Sequence, residues 1–580
     1  MTGSSRRLPI VVVLVGLLVA AVAVGDRQVR AGVRVRESAF AASMPAPGVR
    51  SSAWFCSGGL VGTGPSSDRI TISNVGPRPV SAAVDVMVAE RPVSERIVAV
   101  GARASTTLAV AQLSSAPAAA VVVQPLGSGV VVQQGYSTAT DVAMAPCATR
   151  AAADWYFAAG STVGGGQQWL SIFDPFAIDA VVDIEAYSES GFHAPGSLQG
   201  LIVRAGSRIS VRIDRAVAEQ KHVAIGVHVR NNSRVVTTEA LVRPSPSSRT
   251  GISLSLGAIS PARVWLLADN RSRVGALQQL VLANPGDVDA TVRVSVVPDV
   301  ASVIDPRVVR VPATSAVAVD FSGVVPAGVA YTLVARSNVP VVAESRSAFA
   351  TGYPGFASEV GAPATARSWV FAGGPFSATG MGGARPRLSG GFDLNVVMAV
   401  GATDLEIASV HSAIVHNGHV ARFYTVNRVQ ALRNFGAANH DNPALIASTT
   451  AAMMPVSFDV AATGSTWITP LRQYLDARPG VATVVTAATQ RPLVADELVV
   501  LNPGRSSVHV SVVATAAGSV LSGRGLRDVL VGPGGAVTIS LVGLARTGAA
   551  AVVTATGPVV AERFVGGPWG VTRSEGVPAG

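Results

Sequence analysis

Four histidines, His411, His416, His419 and His440, crowd into one stretch of the chain, the local density from which a zinc site can be built. The segment "AIVHNGHVARF" reads more simply as a hairpin. Asn417-Gly418 is the strongest two-residue signal for a type I′ turn, and the histidines flank it as a cross-strand pair. No carboxylate or thiol stands at ligand spacing in the same strand, so solvated histidines are expected, with no metal and no cofactor. The two cysteines, Cys56 and Cys147, show no C-x-x-C arrangement, and an even pair in an exported chain is expected to form a disulfide. Closing a loop of about ninety residues would stabilise the fold by roughly 4 to 5 kcal/mol on the chain-entropy account. Hydrolase and nucleotide-binding signatures are absent from the sequence: there is no G-x-S-x-G, no H-E-x-x-H and no P-loop. The glycines of "GMGGARPRLSGG" at 380–391 neither follow a strand nor open a helix, and mark a loop.

The elements that would position such groups repeat. From Trp265 run the phrases "VWLLADN", "QLVLANPGDVDATVRVSVV", "RVVRVPATSAVAVDF" and "AYTLVARSNVPVVAESRSAF", and versions of them begin at Trp54, Trp155, Trp369 and Trp467. These five tryptophans stand 101, 110, 104 and 98 residues apart. The repeat sets expected boundaries: a β-unit at 54–153, a second at 154–263, a third at 264–366, a worn fourth at 367–465 and a fifth at 466–580. Alternation as in Ala290-Thr291-Val292-Arg293-Val294-Ser295-Val296 puts valines on one face and polar residues on the other, the signature of a half-buried strand. About seven such strands per unit, with "NPG" as the turn between the second and third, fit five tandem immunoglobulin-like β-sandwiches. A β-propeller or closed ring would use the same strands. Only "ITPLRQYLDA" at 468–477 suggests a helix.

Glu239, Glu344 and Glu562 share one position of the repeat, where other copies have Gln134 and Ser448. A proton-transferring acid cannot be exchanged for serine, so an outward or inter-unit polar contact is expected there, not catalysis. The repeated tryptophans could stack sugars, but one tryptophan opening each unit's first strand is expected to pack in a core or a joint.

Residues 8–25, "LPIVVVLVGLLVAAVAVG", follow Arg6 and Arg7 and carry no charge. They read as a short transmembrane anchor after a cytoplasmic segment 1–7, or as a signal peptide with a loose cleavage signal at Ala21-Val22-Ala23. Residues 26–53 would then be a linker, with the bulk of the chain extracytoplasmic. Arg27, Arg30, Arg34 and Arg36 just beyond the segment run against the positive-inside rule for that orientation. Lys221 is the only lysine, and the net charge of +10 is otherwise carried by scattered arginines without interleaved aromatics, which argues against nucleic-acid binding.

The motifs W-[YFV]-F-A-x-G, L-x-L-x-N-P-G and V-V-A-E-R, in that order over residues 54–580, resemble an actinobacterial family of exported, membrane-anchored β-repeat proteins of unknown function. The resemblance implies a Gram-positive envelope of mycolic or polysaccharide type and supplies no catalytic residues. The chain departs from it in the fourth unit, where Ala399-Val400-Gly401 replaces N-P-G. A non-enzymatic scaffold or binding module is therefore expected, with an unknown envelope protein or polysaccharide as partner. The alternative is a glycan-binding accessory of envelope polysaccharide synthesis or transport.

Overall fold

Valine-rich alternation makes strands here, and almost nothing else. The computed structural model describes residues 39–45, 52–58, 67–374 and 495–579, the last two spans with short breaks, and the backbone of five strands in between. Apart from one turn of helix at Val110–Leu113 and a 3-10 turn at Gly196–Leu198, the described elements are strands, so the chain is all-β. Strand Ala290–Pro298 buries Ala290, Val292, Val294 and Val296 and exposes Thr291 and Arg293, as its period of two requires.

The third sandwich shows the plan. Its outer sheet orders the strands Arg307–Val311, Ala290–Pro298, the first half of Ala330–Phe349, and Ala262–Arg271. Its inner sheet orders Ser315–Asp320, Leu277–Asn284, the second half of Ala330–Phe349, and Gly355–Val360. Leu277–Asn284 and Ala290–Pro298 therefore lie in different sheets, and the N-P-G turn between them is a corner from one sheet to the other rather than a hairpin. Asn284 is the residue that holds this corner. Its Nδ2 donates to the carbonyls of Val288, Val311 and Pro312 at 2.8, 3.2 and 3.2 Å, and its Oδ1 accepts from Gly286 N at 3.1 Å. Asn74 and Asn502 make the same set of bonds in their own sandwiches.

The boundaries expected between a fourth and a fifth unit do not coincide with the division of the sheets. The strand Ala366–Phe371, which contains Trp369, pairs with Ala550–Gly567 in one sheet, alongside Val508–Ala516. Trp369 Nε1 donates to Val559 O at 2.9 Å, as Trp265 does to Val341 O and Trp155 to Val235 O. The described strands thus build four sandwiches, the fourth from 366–374 together with 495–579. The "worn" phrases lie in an insertion after its first strand. Within that insertion Val410–His416 pairs with His419–Val426, which bears out the backbone of the expected hairpin. The marker Trp467, the helix expected at 468–477, Gly401, His440, and residues 8–25 lie outside the described residues. Among the described residues no helix is long and apolar enough to cross a membrane.

One late strand of each sandwich, Val142–Pro146, Gly251–Leu256, Gly355–Val360 and Gly570–Glu575, packs against two of the others. Ile252 N donates to Asp141 Oδ2, Ser358 N to Ser253 Oγ, Glu575 N to Glu359 Oε1 and Met144 N to Thr572 Oγ1, so the circuit closes. The approach is backbone to backbone. A Cβ on Gly251 would stand 2.4 Å from Phe356 N, and one on Gly355 would stand 2.9 Å from Val571 N. A clasp completes the ring: Met44 N donates to Pro578 O, Thr149 N to Ala41 O, and Phe40 packs edge-on against Trp369. The sandwiches thus form the closed ring that stood as the alternative to a row.

Candidate functional site

Trp54, Trp155, Trp265 and Trp369 are fully buried, each in its sandwich's first strand. None offers a face to a sugar. Cys56 and Cys147 form a disulfide across the first sandwich. It stands where the other sandwiches press a large side chain onto a glycine: Phe157 on Gly257, Leu267 on Gly361 and Phe371 on Gly576. All three repeated glutamates are buried, and two of them are inter-unit contacts. Glu344 Oε2 accepts from Ala158 N and Ala159 N of the preceding sandwich at 2.8 and 3.0 Å, and Glu562 accepts from Ala268 N and Asp269 N at 2.7 and 2.9 Å. Glu239 accepts from Gln168 within its own sandwich. Desolvation raises all three carboxyls above their ordinary range. Glu344 and Glu562 are joints.

A different group of side chains forms a cleft between the second and third sandwiches. Three strands of the second sandwich, Ala180–Ser188, Val223–Val229 and Asp154–Gly160, lie side by side. Their register aligns Glu185, Gly226 and Tyr156 in one row, and Asp183, His228 and Asp154 in the next. Because successive rows on one face are two residues apart, Tyr187 stands on the same face beyond Glu185. Gly226 leaves the room: a Cβ there would lie 2.7 Å from His228 Nε2 and 3.2 Å from the Tyr187 hydroxyl. Opposite are Asn284–Val288, the corner of the third sandwich, with Pro261, Val339 and Pro340, and the open cleft between has a volume of about 490 Å³.

The polar atoms form a chain. Tyr187 donates its hydroxyl to Glu185 Oε2 at 2.5 Å, His228 Nε2 lies 3.3 Å from that oxygen, and His228 Nδ1 lies 2.8 Å from Asp154 Oδ1. Tyr156 sets its ring edge-on to the imidazole at 5.6 Å. Burial alone would lower the His228 pKa, but the bond to Asp154 and the charges of Glu185, Asp154 and Asp183 outweigh it and hold the imidazole above its usual value. Burial, followed by the same carboxylates, pushes both tyrosine hydroxyls up, so they remain protonated donors. Aromatic edges beside fixed acceptors suit a neutral polyhydroxylated ligand, and nothing in the chain of bonds positions a nucleophile.

Residues 113–372 match a family of unknown function, DUF5719, and residues 391–490 match the FtsX extracellular domain. The first match spans less than half of the chain; the second falls inside the insertion of the fourth sandwich. Among solved structures the chain is similar to a crystal structure of Thermotoga maritima 1070, 21% identical, over 18% of this chain and 94% of that one, at a TM-score of 0.16. No curated protein matches the chain.

The sequence reading passed over Tyr156, Glu185, Tyr187 and His228. One signal was present: Asp183, Glu185 and Tyr187 alternate on one face of a strand, an unusual outward set in so weakly charged a chain. What brings His228 to them is strand register, which the local sequence does not carry.

Proposed function

We propose that this chain is an exported, non-enzymatic protein of the cell envelope, whose ring of sandwiches is a rigid platform that presents residues 391–490 to a partner. One observation carries the reading: the segment that matches an extracellular domain is inserted between the first and second strands of the closing sandwich, whose sheets pair as in the other three. Residues 8–25 would hold the platform at the outer face of the membrane, or release it if they are cleaved. The partner is an envelope protein or polysaccharide. The test compares the full chain with a form in which a short Gly/Ser linker replaces 375–494, using crosslinking in intact membranes. The shortened form is expected to keep the ring's melting transition and lose the crosslinked partner. A partner retained without the insertion, or a ring that no longer folds, would overturn the reading.

A second reading, direct glycan binding, is favoured by the cleft around His228. Under it Tyr156→Ala and Glu185→Gln weaken binding of neutral envelope oligosaccharides by tenfold or more without lowering the melting temperature. Unchanged binding counts against it.

A further inference from the structure

A second cavity, of about 470 Å³, lies between the same two sandwiches. Arg346 lines it, buried on the inner sheet of the third sandwich. Its nitrogens meet neutral acceptors: Nε donates to Gln279 Oε1 at 3.0 Å, NH1 approaches the carbonyls of Ala159 and Gly160 at 3.3 and 3.4 Å, and NH2 donates to Gln279 Oε1 and meets His222 Nδ1. Among the described residues no carboxylate lies within ion-pair distance of this guanidinium. Three other buried arginines of the ring have one: Arg563 pairs with Asp496, Arg573 with Glu562, and Arg271 with Asp269 and Glu497.

The joint between the third and fourth sandwiches shows what is missing. There Arg271 sits between Asp269 and Glu497. Glu497 stands five residues before Asn502, and the residue five before Asn284 is Gln279. Asp269 stands four residues after Trp265, and the residue four after Trp155 is Ala159. Both carboxylates that balance the cation in one joint are thus replaced by neutral residues in the other; Arg271 itself is answered there by Ser161, and the buried arginine of this joint, Arg346, stands two residues after the repeated glutamate, where the fourth sandwich has Phe564. Two more cations border the cavity: Lys221, and Arg243, whose guanidinium stacks 5.4 Å from the Phe356 ring. No acidic side chain lines it among the described residues. The nearby Glu189 is committed to the backbone N–H groups of Lys221 and His222. His222 supplies no negative charge, and burial, followed by the charge of Arg346, holds its pKa down to about 4, so it stays a neutral acceptor.

We propose that this cavity binds a compact oxyanion, a phosphate or a sugar-borne carboxylate, which takes the place of the absent Glu497 and Asp269 counterparts beside Arg346. A buried cation that Glu344 and Glu189 reach only from beyond ion-pair distance carries a desolvation cost that such a ligand offsets. Arg243 and Lys221 supply the field that draws it in.

The test is calorimetric titration of the full chain at low ionic strength with inorganic phosphate, galacturonate and glucose. An anion is expected to bind with a Kd below about 1 mM, more weakly as salt is added, while glucose does not compete. Galacturonate binding more tightly than phosphate assigns a sugar-borne carboxylate, and the reverse assigns free phosphate. Gln279→Glu restores the missing carboxylate, and is expected to abolish anion binding while the melting temperature holds or rises. Arg243→Gln and Lys221→Gln should each weaken binding severalfold. Absence of anion binding at about ten times the expected Kd, equal binding of glucose, or full anion binding by Gln279→Glu would each overturn the assignment.

Discussion

Glu344→Ala would remove one acceptor from two backbone donors at once. Ala158 N and Ala159 N both donate to Glu344 Oε2, in a part of the joint where the side chain is fully buried and no water reaches. A buried donor left without a partner costs about 1 to 3 kcal/mol, so the pair costs roughly 2 to 6 kcal/mol. Ser358, whose hydroxyl donates to Oε1, can turn to Ser345 O at 3.3 Å and adds little. Glu344→Gln should behave differently. Its amide oxygen can take the place of Oε2 and keep both backbone bonds, and the change removes a carboxyl that burial already pushes toward its neutral form. The expected cost is under about 1 kcal/mol. Equilibrium urea unfolding followed by tryptophan fluorescence measures both variants, and hydrogen exchange at the Ala158 and Ala159 amides locates the loss. Because donors and acceptor belong to different sandwiches, one transition is expected for the ring. If Glu344→Gln costs as much as Glu344→Ala, the charge and not the acceptor holds the joint, and the reasoning fails.

Replacing Cys56 and Cys147 by serine should destabilise the first sandwich by about 4 to 5 kcal/mol, since the bridge closes a loop of 91 residues, and urea midpoints with and without reductant check it. Burial, reinforced by neighbouring carboxylates, raises Glu359 and Glu575 well above their ordinary range, so the folded chain holds protons that the unfolded chain releases. That stability is full below the ordinary glutamate value and is lost as pH climbs from there toward the folded values. The melting temperature should therefore rise from about pH 8 to about pH 5, with a flatter slope in Glu359→Gln; a fall over that interval refutes it. Asn284→Asp removes the donor to three carbonyls and should cost about 2 to 4 kcal/mol by urea unfolding, more than at an ordinary surface turn. Val294→Asp puts a charge into the core of the third sandwich, and the ring should then melt in one step at a lower temperature; a surviving folded C-terminal fragment after limited proteolysis would show that the sandwiches are independent.

The sandwich class was legible because it rests on period-two burial, which any stretch such as Ala290–Pro298 displays within its own residues. The tryptophans were legible for a related reason: each fills the same socket and meets the same carbonyl in three sandwiches. The unit count was not. An insertion that brings strands of its own, and a tryptophan at 467 near the repeat spacing, imitates a further copy, and the pairing that exposes it joins Trp369 to Val553 across almost two hundred residues. The N-P-G turn was legible as a turn but not as a corner between sheets, because turn chemistry reports the bend and is silent about which sheet receives the next strand. The cleft was hidden for the same reason, since Tyr156, Glu185 and His228 become neighbours only through register.

The clasp has a consequence for the order in which the molecule is made. Residues 40–44 emerge early and residues 577–579 late, yet among the described residues Met44 N finds its partner at Pro578 O, and the strand Ala366–Phe371 is covered on its outer side by Val577–Ala579. Until those last residues arrive, the seam presents an unpaired strand edge, the kind of surface on which other chains can add. A product stopped short of residue 577 would keep that edge, whereas lengthening the insertion after Gly374 would leave the seam untouched. Quality control of the nascent chain and tolerance of new inserted sequence are thus governed by opposite sides of the same sandwich.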